Sequence, residues 1–413
     1  MERSYKKNGQ YTKFCLYGFL KNLRFFDAFL LLYFLDAGIS FTQIGVMYAM
    51  RVIITNISEI PSGIAADTYG RKKSLVFSFI VYIISFLIFY FSHDFTLLLM
   101  AMVLYGIGDA FRSGTHKGMI MDYLKINQWE SDKVDYYGHT RSWSQKGSAI
   151  SALLAGFLVL YSGSYRIIFL FSSLPYFINL VNIWTYPKEI DYSLDKNGEH
   201  HIPSINSVVK NFLSVIKKPS VFKIINSSAL HTSFLETIKD YIQPLMLQVA
   251  ILIPIMQSID IKKKSGLIIG IIYFFIFLLT SYASKNAAKV SALGFKNLIN
   301  LTLVLGLTAG VICGVLMNYE IWNLSLFVFI VIYVVENLRK PILTGALADN
   351  VPYDILTSVL SAQSFYKTLI TSAMALLLGI LADAFGIGMS IIAISSLLVI
   401  FNFSLNKLLS QNL

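Results

Sequence analysis

The chain has 413 residues, 55% hydrophobic and only 14% charged, with a formal charge of +11. Soluble domains carry about 25% charged residues, so this composition excludes a soluble globular protein, and the lack of strict apolar–polar alternation excludes a β-barrel. The positive excess sits in loops between apolar runs, where it sorts topology, and no soluble domain is left to bind nucleic acid.

In chain order, the apolar runs define about twelve spans, each long enough to cross a hydrocarbon core of about 30 Å. They cover 11–36, 41–64, 73–92, 95–118, 139–161 and 165–187, then 221–253, 264–284, 297–317, 322–343, 357–383 and 386–407. The first run holds Lys21, Arg24 and Asp27 and has no small-residue cleavage site after it. It reads as a retained helix rather than a signal peptide. The one long polar segment lies between the sixth and seventh spans. It divides the chain into a six-helix bundle (1–187), a linker (188–220) and a second six-helix bundle (221–413).

Alternate loops are rich in Lys and Arg: Lys6, Lys7 and Lys13, then Arg71, Lys72 and Lys73, then Lys125 and Lys133, then the linker, then Lys285, Lys289 and Lys296. By the positive-inside rule both termini and the linker face the cytoplasm of a multi-pass protein in the inner membrane. Lys262, Lys263 and Lys264 are the exception. Either that loop breaks the rule or the seventh span is misplaced. Cys15 and Cys313 lie in apolar runs far apart in sequence, and imply no disulfide framework or zinc site.

The halves repeat. "YGIGDAFRSGTHKGMIMDYL" and "YVVENLRKPILTGALADNVP" align at one offset, matching Asp109 with Glu336, Arg112 with Arg339, Gly118 with Gly345 and Asp122 with Asp349. Parallel six-helix repeats are an architecture of secondary transporters.

The loop after the second span reads "GIAADTYGRKKSL". It resembles the G-x-x-x-D-x-x-G-R-[RK]-x-x-L signature of the major facilitator superfamily, through Gly63, Asp67, Gly70, Arg71, Lys72 and Leu75. With the span layout and the half-repeat, the resemblance covers essentially the whole chain. It implies an all-α membrane fold of two pseudo-symmetric six-helix bundles that work by alternating access. It also implies that this loop is a cytoplasmic latch. Asp67 would face the N-terminus of the eleventh helix, where free amides favour an anion. Arg71 would anchor a carboxylate, with Asp122 as the expected partner. The glycines would permit a tight turn and close helix approach.

Charges recur inside the spans at a cost of about 2.5–3.5 kcal/mol each on insertion scales. Arg24 with Asp27, Asp109 with Arg112, Glu236 with Lys239 and Glu336 with Arg339 are all spaced i,i+3, so each acid shares a helix face with a base. They fall on spans one and four of each half, which line the central cavity in the family. Arg24, Asp27, Arg112, Lys239 and Arg339 are the expected substrate-cavity residues. Asp109, Glu336 and His116 are the expected proton carriers. The basic tilt favours a carboxylate or phosphate substrate. The alternative is a drug/proton antiporter for lipophilic or cationic compounds, with a non-transporting sensor on the same fold as a further alternative. No Gly-x-x-x-x-Gly-Lys-[Ser/Thr] loop occurs, which argues against an ATP-driven pump. No catalytic or metal constellation stands out. The sequence reading is therefore a transporter and not an enzyme, expected to act as a monomer in the lipid bilayer on a small molecule and protons, without cofactor.

Overall fold

The computed structural model describes residues 5–191, 219–254, 256, 258–291, 297–350 and 353–411. Among these, every regular element is helical. With no water in a hydrocarbon core, a helix satisfies its backbone groups within one segment. The helices are α1 (Gly9–Leu20), α2 (Leu30–Asp36), α3 (Phe41–Tyr69), α4 (Arg71–Phe91), α5 (Phe95–Arg112), α6 (Thr115–Ile126), α7 (Lys133–Ser162) and α8 (Ile167–Trp184). They continue with α9 (Pro219–Ile238), α10 (Ile242–Leu252), α11 (Ile261–Ser291), α12 (Leu298–Asn318), α13 (Trp322–Asn350) and α14 (Tyr353–Gln411).

Among the described residues, six segments are, by length and composition, long and apolar enough to cross a membrane: Arg71–Phe91, Phe95–Ile126, Ile167–Trp184, Ile261–Ala287, Leu298–Asn318 and Gln363–Leu405. The last, of 43 residues, exceeds one pass at 1.5 Å per residue, and Gly386 breaks it with φ 83° and ψ 166°. The remaining expected spans are the first, second, fifth, seventh and tenth, which are the charged or interrupted ones.

Three spans read as single runs are broken. The first bends between α1 and α2 through a 3-10 turn at Phe25–Ala28, and the seventh through one at Lys239–Tyr241. The fourth breaks between α5 and α6, where Gly114 takes φ +74°, a backbone conformation that costs glycine little. Each break falls at a charged stretch: Lys21 to Arg24, Lys239 to Asp240, and Arg112.

The chain forms two compact units, Met1–Phe29 with Met50–Ile202, and Leu30–Ala49 with Pro203–Leu413. In the first, Phe26 stacks on Phe169, and Tyr82 contacts Phe79, Phe86, Tyr105 and Tyr176. Small residues let the first and fifth spans touch: a Cβ on Gly147 would lie 2.5 Å from the Phe19 carbonyl oxygen. Such close approach is the usual basis of helix association in lipid.

In the second unit, the backbone N–H of Leu31 donates to Gln243 Oε1 at 2.8 Å. Asp383 caps α3 by accepting from the N–H groups of Phe41 and Thr42 at 2.9 and 2.7 Å. Gly45 abuts the Ala375 carbonyl, and Gly379 that of Phe41. These contacts explain why the end of the first span and the start of the second cluster with the later half of the chain. Two of the three lysines that break the charge pattern have local partners. Lys262 pairs with Asp36, and buried Lys264 donates to the Ile253 carbonyl at 2.5 Å. The seventh span ends within a residue of its expected limit, so it is not misplaced, and these lysines serve local bonding.

Gly147→Ala is expected to destabilise the protein by about 1–3 kcal/mol, because the new methyl meets backbone. Gly138→Ala on the same helix meets nothing within 4 Å and should leave stability unchanged or slightly higher. Thermal unfolding in detergent checks the contrast.

Candidate functional site

The break in the first span is supported by the sixth. Tyr176 donates its hydroxyl to the Lys21 carbonyl at 3.0 Å, Asn179 its amide to the Tyr17 carbonyl at 3.2 Å, and Ser172 accepts from the Phe25 N–H at 3.2 Å. Backbone groups released at membrane depth thus find side-chain partners. Arg24 emerges from this bend. Its guanidinium pairs with Asp27 at 2.7 Å and donates to the Tyr105 hydroxyl at 3.0 Å.

Asp109 is the centre of the first unit's charge cluster. It accepts from Arg51 at 2.9 Å, Arg112 at 3.1 Å and the Tyr82 hydroxyl at 2.6 Å. The Arg112 Nε donates in turn to the Tyr82 oxygen at 3.0 Å, and Arg51 lies 4.4 Å above the Tyr105 ring centre. Arg24, Arg51 and Arg112 are 28%, 23% and 26% exposed, against 13% for Asp109. Lys21 lies over the Tyr17 ring, and the cluster sets three guanidiniums against two carboxylates. The expected pairs Arg24–Asp27 and Asp109–Arg112 both form. Arg51 was not singled out from the sequence. Its signal there is the one basic residue of the second apolar run, with no acid one turn away.

His116 has other neighbours. It is buried, stacks on Tyr17 with ring centres 3.5 Å apart, and its Nε2 lies 3.1 Å from the Tyr186 hydroxyl.

In the loop signature, Gly70 adopts φ +101° and α4 begins at the next residue without a cap of its own. Asp191 supplies one. Its carbonyl accepts from the Arg71 N–H at 2.8 Å and its carboxylate from the Lys72 N–H at 2.6 Å. Lys72 donates to the Tyr186 carbonyl at 3.0 Å. Arg71 forms an ion pair with Asp122. Gly118, one helical turn before Asp122, leaves room for that guanidinium: a Cβ there would lie 2.9 Å from Nη1. A close-approach role does not apply to Gly63, where a Cβ would meet nothing within 4 Å. The side chains of Asp67 and Asp349, and residue Lys296, lie outside the described residues.

In the second unit two expected pairs do not form. Glu236 pairs with Lys367 at 3.2 Å instead of Lys239. The α-helix ends at Ile238, and the 3-10 turn carries Lys239 off the shared face. Glu336 is buried and binds His231 Nδ1 and the Thr232 hydroxyl, both at 2.7 Å, with Lys340 at 3.6 Å. Arg339 is 1% exposed and spends its guanidinium on the Ser227 carbonyl and hydroxyl, the Ile299 carbonyl and the Thr302 hydroxyl. It fastens α13 to α9 and α12 and does not line the cavity of this unit. That cavity, of about 300 Å³, is walled by Ser228, Thr232, Lys340, Thr344, Gln363 and Lys367 among others. Among the described residues no three His, Cys, Asp or Glu side chains converge to hold a metal.

The family model of the Major Facilitator Superfamily matches residues 18–375. An uncharacterized MFS-type transporter of Bacillus subtilis (strain 168), YxaM, is 23% identical over 377 residues, covering 91% of this chain and 89% of its own. Among solved structures, the nucleoside transporter NupG aligns with a TM-score of 0.73 at 12% identity, over 97% of this chain and 99% of its own. A POT family transporter in complex with 5-aminolevulinic acid aligns at 0.72 and 12% identity, over 97% and 96%. At these identities the structural likeness shows the fold alone.

Arg71 and Asp122 are 13% and 15% exposed, more enclosed than a surface ion pair, whose typical worth is about 0–1 kcal/mol. A double-mutant cycle with Arg71→Ala and Asp122→Ala is expected to give a coupling of about 1–3 kcal/mol in denaturant unfolding. A coupling of zero would reduce the pair to two independent surface charges.

Proposed function

The chain belongs to the major facilitator superfamily, a family of multi-pass membrane transporters of small molecules and not of enzymes, and from that premise we propose that it is a secondary active transporter of a small anionic organic solute. It works as a monomer by alternating access in the cytoplasmic (inner) membrane, with both termini cytoplasmic, and is coupled to protons. One observation carries the substrate class. Arg24, Arg51 and Arg112 outnumber Asp27 and Asp109, and the arginines are more exposed than Asp109, which they enclose. A unit charge 4 Å away is worth about 4 kcal/mol at an effective dielectric constant of 20. An approaching anion therefore meets an attractive, partly unspent set of guanidiniums, which also bind carboxylate and phosphate in bidentate fashion. A lipophilic cation meets the same groups as repulsion. This favours the anion reading over drug efflux. Arg24, Asp27, Arg51 and Arg112 form the substrate site on this reading, and Asp109 holds the arginines in place. Lys239, at the break in the seventh span, is the candidate substrate group of the second unit. Asp109, Glu336 and His116 are the groups available for proton coupling. Asp67, Arg71, Lys72 and Asp122, with Gly70 at the turn, form the cytoplasmic latch.

The test is a thermal-shift screen of purified protein against anionic, cationic and neutral solutes at two pH values, followed by transport in proteoliposomes. A ligand that binds only the folded state raises its stability. Stabilisation by a carboxylate or phosphate is expected, weakened roughly tenfold or more in affinity, about 1.4 kcal/mol, by Arg51→Ala or Arg112→Ala. Arg339→Met is expected to lower stability more than affinity, and Asp67→Asn to slow transport without preventing membrane insertion. Stabilisation by lipophilic cations alone would replace this reading with drug/proton antiport.

A further inference from the structure

Three charged side chains around the hairpin of α2 and α3 sit at the wrong ends of their own helices. Asp36 closes α2, and Asp383 lies in the last turn before the break at Gly386, both at a carbonyl end. Lys262 stands in the first turn of α11, at an amide end. The helix macrodipole disfavours each placement. Compensation comes from across the hairpin: Asp36 pairs with Lys262, and Asp383 accepts from the Phe41 and Thr42 N–H groups at the start of α3. Yet α3 has a cap of its own. Ser40 Oγ accepts from the Gln43 N–H at 3.2 Å and Gln43 Oε1 from the Ser40 N–H at 3.0 Å, which is a capping box. Deeper in, fully buried Gln243 accepts from the Leu31 N–H at 2.8 Å, and Phe41 stacks on Tyr241 with ring centres 5.9 Å apart. The seam between α3 and α14 is backbone on backbone. A Cβ on Gly45 would lie 2.5 Å from the Ala375 carbonyl oxygen, and one on Gly379 would meet that of Phe41. Residues Leu30–Ala49 group with the second unit, while α3 runs on from Met50 in the first.

We infer that this hairpin is a reversible clasp with Asp383 as its latch residue. The carboxylate holds α3 while the outer face is closed and lets it go when that face opens. The inference rests on the alternating access and cytoplasmic termini proposed above, which put the turn at 37–40, the start of α11 and the turn at Gly386 on the outer face. The contacts are graded for release. Gln243 is the buried inner pin. Asp383 is exposed, and the Lys262 and Asp36 side chains are 41% and 31% exposed, so these ends part first. On release the Phe41 and Thr42 amides, the carboxylates and the ammonium pass to water, and the capping box keeps α3 helical. The glycine seam has no interlocked side chains at its closest points, so it parts without repacking them. The unfavourable dipole interactions of the three charges return on opening, which biases the clasp to close again. A cap placed for the stability of α3 alone would be redundant beside Ser40 and Gln43, and would not sit at the carbonyl end of another helix. The chemistry, a carboxylate against a helix N-terminus, is the kind proposed for Asp67 at the cytoplasmic face, supplied here by unrelated residues. Asp383 is a positioning residue that acts through α3.

The test is hydrogen–deuterium exchange of the full-length protein in lipid nanodiscs, without added solute. It is read over 41–49 and 375–382, the two sides of the seam, and over 63–72, the cytoplasmic loop. Loss of a helix cap shifts an opening equilibrium by about fivefold, and exchange reports such openings. Asp383→Ala is expected to speed exchange about fivefold on both sides of the seam and to slow it over 63–72. Lys262→Gln, which breaks an exposed pair and leaves the fold intact, should act in the same direction by about twofold. Adding Asp67→Asn to Asp383→Ala should return both faces toward the wild-type pattern, which loss of a merely structural cap would not allow. Faster exchange confined to 41–43 makes Asp383 an ordinary helix cap and overturns the inference. A wild-type pattern in Asp383→Ala, or in Lys262→Gln if Asp383→Ala does not fold, overturns it as well. If Asp67→Asn alone leaves 63–72 unchanged while Asp383→Ala opens the seam, the cytoplasmic latch falls and the outer clasp stands. If neither variant changes exchange at either face, the clasp and the alternating-access reading with its latch fall together.

Discussion

A carboxylate cannot remain charged at membrane depth without partners, and the first unit is organised around satisfying Asp109. Arg51 comes from α3, Tyr82 from α4, and Arg112 from the same helix as the acid, α5. Three helices are thereby held at one point by charge-assisted bonds, which are about twice as strong as neutral ones. Removing one partner from such an enclosed set typically costs about 3–5 kcal/mol, because the remaining charge is left uncompensated. The cluster is poor evidence for stability, since an apolar replacement of similar shape often does as well. What an apolar core does not provide is guanidinium surface open to a ligand.

The same constraint explains where the helices break. A continuous helix satisfies its own backbone and has nothing to offer a solute. At Lys21 to Arg24 and at Lys239 the backbone leaves the helix, and the freed carbonyls are taken up by Tyr176 and Tyr333. Irregular backbone at this depth is tolerated only where protein or a water-lined cavity satisfies it, and discontinuous helices at binding sites are a recurring transporter device.

The layout of the spans was legible because length and hydropathy are local properties. So were Arg24–Asp27 and Asp109–Arg112, which need only i,i+3 spacing, and the partnership of Arg71 with Asp122, drawn from the resemblance carried by the loop signature. Contacts that depend on helices far apart in sequence were not legible. Arg51 and His231 each meet an acid on a distant helix, and nothing in their own surroundings names it. The capping of α4 by Asp191 was hidden for the same reason. Glu236–Lys239 and Glu336–Arg339 failed differently. Spacing is informative only while the helix continues and while no better partner lies across the interface. The first condition fails at Ile238. The second fails at Arg339, where Ser227, Ile299 and Thr302 outbid an acid already engaged by His231.

The internal repeat shows how two related helices reach different chemistry. Asp109 and Glu336 occupy matching positions, as do Arg112 and Arg339. In the first unit Tyr82 bridges the acid and the base, and Arg112 stays a quarter exposed. In the second, His231 and Thr232 take the acid, the arginine is drawn into the helix contact, and the accessible cation moves to Lys340, four residues beyond the acid. A guanidinium locked to a carboxylate from the same and a neighbouring helix is a fixed charge. A lysine on a flexible stem beside a buried carboxylate is a movable one. Fixed charge suits recognition of a solute, and movable charge suits exchange of partners during a cycle. The residues facing the repeat positions, rather than the repeat itself, therefore decide the chemistry within each half.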